Sequence, residues 1–182
     1  LGMWLVSGLL TYWLLSLQFW AALLVGAIVT PTDPVVSGSI VGGQFAEDSI
    51  PARIRHTLSA EAGANDGGAF PYVFLPLLLL SAPLDEALET WVLDKVLLGV
   101  VGAVALGVVL GYVAGQVERW ARRNQYPEET SATTVTVGLA LAVLGSVKLL
   151  GSDGILAVFA AGMVFRRIID HPLTKRAFRT QE

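Results

Sequence analysis

The sequence predicts an all-α, polytopic membrane protein of about six transmembrane helices, and three observations carry that prediction. The first is composition. The 182-residue chain is 54% hydrophobic and 15% charged, with a mean hydropathy of +0.64, whereas a soluble domain carries about 25% charged residues. The second is clustering, because Leu1–Thr32, Val96–Val117 and Thr130–Val147 contain no Asp, Glu, Lys or Arg. About 20 apolar residues in a helix cross a hydrocarbon core of about 30 Å. The third is the placement of basic residues, which alternates from loop to loop.

The apolar runs mark helices at Leu1–Leu17, Trp20–Gly42, Leu58–Ala82, Trp91–Val117, Ala132–Leu150 and Gly154–Ile169. The last meets Arg166 early, so it spans only if Arg166 and Arg167 snorkel to the interface. Arg53 and Arg55 fall in one loop, Arg119, Arg122 and Arg123 in another, and Arg166, Arg167, Lys175, Arg176 and Arg179 at the end. Of the 12 basic residues, only Lys95 and Lys148 lie on the opposite side. The positive-inside rule makes the basic side cytoplasmic. The third helix then runs outward, and Ser81–Thr90, with Asp85, Glu86 and Glu89, is an external turn.

Two segments break the apolar pattern. The second helix contains Thr30-Pro31-Thr32-Asp33-Pro34. Each proline lacks a backbone N–H and clashes with the carbonyl four residues earlier, so this segment unwinds. Unwound backbone inside a membrane must be buried in protein or line a wet cavity. Asp33 followed by Pro34 fits an N-cap with proline at the first helical position, restarting the helix toward Gly42. A loop between two short interfacial helices is the other reading of these prolines.

The third helix contains Glu61-Ala62-Gly63-Ala64-Asn65-Asp66-Gly67, whose Glu61 and Asp66 are the only charges between Leu58 and Pro83. Carboxylates in hydrocarbon cost several kcal/mol and mark ion or proton paths by default; inert helix-packing groups are the alternative. Glu61 and Asn65 share one face at a spacing of four, as do Ala62 and Asp66. Asp66 falls about 12 Å beyond Leu58, near mid-membrane. Gly63 and Gly67 allow another backbone to approach, and Pro71 removes the hydrogen-bond partner of the Gly67 carbonyl.

Other signals have plainer readings. The glycines Gly99, Gly102, Gly107, Gly111 and Gly115 make a close-packing helix. Gly151-Ser152-Asp153-Gly154 is a tight turn in which Ser152 or Asp153 caps the last helix. His56 and His171 fall at cytoplasmic loop edges and read as solvated loop residues, with a pH-sensing role as the alternative. The lack of cysteine excludes disulfides and thiolate metal sites. There is no phosphate-binding glycine loop, zinc spacing or nucleophile–base pair, and nothing points to nucleic acid.

Thr32-Asp33-Pro34 and the Glu61–Gly67 heptapeptide, in this order on adjacent helices, resemble the NhaP/NHE-type monovalent cation:proton antiporters, the sodium/hydrogen exchanger family. With the later Gly154–Gly162 run, the resemblance covers nearly the whole chain. It implies an NhaA-like antiporter fold, with residues 1–182 an internal part of one transmembrane domain and flanking helices on both sides lying outside it. Such a piece is not expected to transport alone.

The resemblance further implies exchange of a monovalent cation, Na⁺ ahead of K⁺ or Li⁺, for H⁺ by alternating access, with no cofactor beyond the transported ions. Asp66 would bind the cation or the proton, but not both. Asn65, Thr32 and Asp33 would complete or shape the site. Pro31, Pro34 and Ala62 are structural neighbours, and Glu61 is a scaffold residue neutralised by a basic residue from a later helix. The Asn65-Asp66 pair is similar to the pattern of electroneutral exchangers. A homodimer in the cell membrane, the inner membrane of a bacterium, is implied as well. Ala62 departs from the pattern, standing where the family often has Ser.

Two other functions stay open at this stage. Asp66 and Asp33 could line the pore of a cation channel. They could also form the carboxylate pair of an intramembrane aspartyl protease, which the flanking prolines and Asn65 disfavour.

Overall fold

A computed structural model describes residues 1–124 and 132–169, and the regular structure in them is helical. The basic residues Lys175, Arg176 and Arg179, and His171, lie outside the described residues. The chain divides into two compact units, Leu1–Val100 and Val101–Glu182.

In the first unit, helix α1 is Gly2–Leu15 and α2 is Phe19–Val29. The chain unwinds at Thr30 and restarts as α3, Pro34–Val41, so the expected Trp20–Gly42 helix is interrupted at its prolines. A short helix not foreseen from the sequence, α4, follows at Gly43–Ser49. Helix α5 spans Ala52–Ser81, 30 residues, or about 45 Å. It begins before the expected Leu58 because apolarity marks immersion in lipid, whereas Arg53, Arg55 and His56 are compatible with a helix in water. Pro71 and Pro76 lie inside it without ending it.

The expected turn Ser81–Thr90 shrinks to Ala82-Pro83, after which α6 forms at Leu84–Thr90. Its acidic first turn, Asp85 and Glu86, complements the helix dipole, which accounts for a helix where charge alone suggested a loop. From Trp91 to Gly102 the backbone is π-helical, and α7 continues at Ala103–Arg123, past the expected end at Val117. Among the described residues, the 40-residue run Leu84–Arg123 is the one helix both long and apolar enough to cross a membrane by itself. Gly2–Leu15, Phe19–Val29 and Thr134–Leu149 are shorter apolar helices.

Packing in the first unit centres on Trp4, Leu23 and Ala27, flanked by Trp20, Tyr72, Val73 and Leu75. Gly8 and Gly26 let α1 and α2 touch: a Cβ on Gly26 would sit 2.6 Å from the Gly8 nitrogen. The indole of Trp4 donates to the Leu23 carbonyl at 2.8 Å and its ring lies 5.1 Å from that of Tyr72. Further along α5, the Phe70 and Phe74 rings are 4.6 Å apart, and Lys95 Nζ stands 4.6 Å from the Phe74 centroid. Trp91 Nε1 donates to the Pro71 carbonyl at 2.7 Å.

In the second unit, α8 (Ala132–Leu149) and α9 (Gly154–Ile169) follow the expected runs closely. Asp153 caps α9 as anticipated, its Oδ1 accepting from Ile155 N at 2.9 Å and Leu156 N at 3.2 Å. Helix α7 packs on α9 through backbone: a Cβ on Gly107 or Gly111 would strike the Ala157 or Ala161 carbonyl oxygen. Val143 and Val147 are fully buried. Many large apolar side chains nonetheless face outward, among them Val109, Val113 and Val117 on α7. A soluble monomer rarely exposes so much apolar surface, whereas lipid solvates it at no cost.

Candidate functional site

The site grows from the interruption between α2 and α3. Pro31 has no N–H to give to the Ala27 carbonyl, so α2 ends, and the Thr30 hydroxyl turns back to donate to the Gly26 carbonyl at 2.6 Å. Asp33 takes an extended conformation, φ −63° and ψ 115°, and its Oδ1 accepts from Val35 N at 2.8 Å and Val36 N at 3.3 Å. Its carbonyl accepts from Ser37 N at 3.0 Å. Pro34 occupies the first turn, where a missing N–H costs nothing. The expected cap is therefore present, and it uses one oxygen of Asp33.

Thr32 remains between the half-helices, and α5 packs against both of them. Its hydroxyl donates to Glu61 Oε1 at 3.1 Å and accepts from Asn65 Nδ2 at 3.1 Å. The same Asn65 amide reaches Glu61 Oε1 at 3.4 Å. One turn of α5 separates Glu61 from Asn65, so the face inferred from spacing is the face that meets the break. Three side chains from two separate segments thus close a ring of hydrogen bonds. Hydrogen bonds of this kind contribute about 0.5–1.5 kcal/mol each.

Asp66 stands next to this ring, half-buried, and Asp33 lies near enough for the two carboxylates to act on each other electrostatically. Ala62 is 4% exposed, so the position where a hydroxyl was expected is closed by packing. The structure therefore gathers Thr32, Glu61 and Asn65 by direct contact, sets Asp66 beside them, and holds Asp33 at the helix cap. The basic partner expected for Glu61 belongs to a later helix outside residues 1–182; within them its carboxylate meets the neutral groups of Thr32 and Asn65. Sequence spacing missed the Thr32–Glu61 bond, because 29 residues separate its ends.

The family model for the transmembrane sodium/hydrogen exchanger matches residues 1–180. The chain belongs to that family. It is 37% identical over 165 residues to a Na⁺/H⁺ antiporter of Saccharomyces cerevisiae, covering 89% of this chain and 17% of that protein. It is likewise 37% identical to Na⁺/H⁺ antiporter 2 of Zygosaccharomyces rouxii, covering 89% of this chain and 20% of that one. A K⁺/H⁺ antiporter, NhaP2, of a Shewanella species is 29% identical over 160 residues, 87% of this chain and 26% of the relative. The chain thus spans about a sixth to a quarter of the length of these relatives. No solved structure matches it. Family membership makes this a multi-pass membrane protein of a transporter family, not an enzyme family.

Proposed function

We propose that residues 1–182 form part of the single transmembrane domain of a monovalent cation:proton antiporter, and that Asp66 is its carrier. The observation that supports this most is the hydrogen-bonded ring Thr32–Glu61–Asn65, which ties a broken helix to the helix bearing Asp66. Discontinuous helices near the midplane, with half-helix ends and free carbonyls, are how many transporters hold coupling ions. An ionised Asp66 attracts a dehydrated cation, and a protonated Asp66 releases it. The two ligands compete for one carboxylate, so each crossing carries one or the other. Asn65, Thr32 and Asp33 shape the site, while Glu61, Ala62, Pro31 and Pro34 support it. Rocking of the helices about the site exposes Asp66 to each side in turn.

Na⁺ is the proposed cation, with K⁺ or Li⁺ as substitutes, in keeping with relatives named for Na⁺ and for K⁺. A homodimer in the cell membrane, the inner membrane of a bacterium, completes the proposal. The test is fluorescence-monitored proton flux in proteoliposomes of the full-length protein, with each alkali cation in turn. Wild type should move protons without generating a current, and Asp66→Asn should not respond to any cation. Normal exchange in that variant rejects Asp66 as carrier, and a steady cation current points instead to a channel.

A further inference from the structure

Beside the break, between the end of α2 and α5, lies a cavity of about 30 Å³. Its wall includes Ala27, Thr30, Pro31, Asn65, Ala69 and Tyr72. Asn65, Ala69 and Tyr72 form a stripe on α5 at spacings of four and three, the face that packs on the Trp4–Leu23–Ala27 core. The cavity shares Asn65 with the proposed ion site, while Thr32, Glu61 and Asp66 are not on its wall.

The hydrogen-bonding capacity around it is lopsided. Asn65 Nδ2 is committed to Thr32 and Glu61, which leaves its Oδ1, an acceptor. The Thr30 hydroxyl gives its proton to the Gly26 carbonyl, leaving lone pairs. The Ala27 carbonyl belongs to a buried residue whose helical donor would have been the N–H that Pro31 lacks. Trp4, also on the wall, has its indole N–H on the Leu23 carbonyl. Tyr72 alone brings a hydroxyl proton.

An occupant must therefore donate at least two hydrogen bonds and fit a small space. A water needs roughly 10–15 Å³ of such volume and two to four polar partners. A bare cation would also meet acceptors, but no carboxylate on the wall balances its charge, and an unpaired buried ion is strongly disfavoured. We infer that this cavity holds one ordered water, which bridges the frayed end of α2 to Asn65. That water holds the Asn65 amide in the orientation that presents its N–H groups to Thr32 and Glu61. It is a structural ligand of the break, distinct from the transported ion.

Hydroxyl-radical footprinting by X-ray radiolysis, on the full-length protein in nanodiscs, tests this without reference to transport. Radiolysis of a bound water oxidises adjacent rings even when radicals in bulk solvent are scavenged. In wild type, Tyr72 should remain oxidised under scavenger, at a rate unchanged when Na⁺ or K⁺ replaces choline. Ala69→Val, which fills the cavity, should lower that rate about fivefold or more, while Ala69→Ser should retain most of it. Loss of Tyr72 oxidation under scavenger in wild type overturns the inference whether or not the variants fold. An unchanged rate in Ala69→Val overturns it as well. A rate that falls as Na⁺ or K⁺ is added assigns the cavity to a cation and rejects the water.

Discussion

Helix α7 meets α9, and the break between α2 and α3 meets α5, by opposite means. At α7–α9, Gly107 and Gly111 bring backbone against the Ala157 and Ala161 carbonyls, and the seam is made of van der Waals contact. At the break, Thr32, Glu61 and Asn65 reach across with hydrogen bonds. Lipid tails are as apolar as leucine, so helices in a membrane associate through close packing or through polar bonds. The first leaves no group with anything to offer an ion. The second sets carboxylates and hydroxyls beside unwound backbone. A seam of the first kind suits a scaffold, and one of the second kind suits a site.

Substitutions can break that contrast, and the largest expected effect is at Asp66. Asp66→Asn should take cation-dependent proton flux in proteoliposomes to background while leaving thermal unfolding of the purified protein close to wild type. A comparable loss of folding would make Asp66 structural, like the glycines. Next comes Gly111→Leu, whose side chain has to enter the Ala161 backbone. Overpacking of this kind costs about 1–3 kcal/mol or more. It should lower the melting temperature and the yield of monodisperse protein, while the surviving fraction keeps its apparent cation affinity.

Thr32→Val keeps shape and removes the hydroxyl that joins Glu61 to Asn65. Stability should fall by about 0.5–1.5 kcal/mol, because the Glu61 carboxylate loses a donor. The apparent cation affinity should fall too, a combination that separates this seam from α7–α9. Asp33 divides the roles further: Asp33→Ala should cost about 1 kcal/mol through the lost cap, and Asp33→Asn should recover most of it. If transport tracks the cap, both assays recover together in the Asn variant. If transport needs the charge, only stability recovers. The smallest effect is expected from Ala62→Ser, which places a hydroxyl at a tightly packed position. It should shift the ratio of Na⁺ to K⁺ transport a few-fold, read as competing half-saturation concentrations, with unfolding changed by about 0.5 kcal/mol or less.

Much of the break was legible in the chain, because its causes are local. Proline's missing N–H, Asp33 before Pro34, and Asp153 before Gly154 each act within four residues, and the half-helices and both caps follow from them. Helix ends were less legible. Apolar runs report the depth of lipid, so the Arg53–Thr57 turn of α5 and the Glu118–Arg123 end of α7 lay beyond them. The salt bridge from Arg122 to Glu118 at 2.8 Å supports that last turn in water. The π-helical stretch Trp91–Gly102 has no local signature in its residues.

By itself, then, the sequence determined an all-helical membrane chain, a helix broken at Pro31 and Pro34, and a polar heptapeptide with Asp66 near mid-membrane. Each follows from short-range sterics or from the cost of charge in hydrocarbon. Only the tertiary structure decided that Thr32, and not Asp66, closes the bond with Glu61 and Asn65. It also decided that the glycines of α7 abut backbone and that a small cavity lies beside the break. Those facts depend on which residues, many positions apart, come within 3 or 4 Å, and helical spacing constrains one helix at a time.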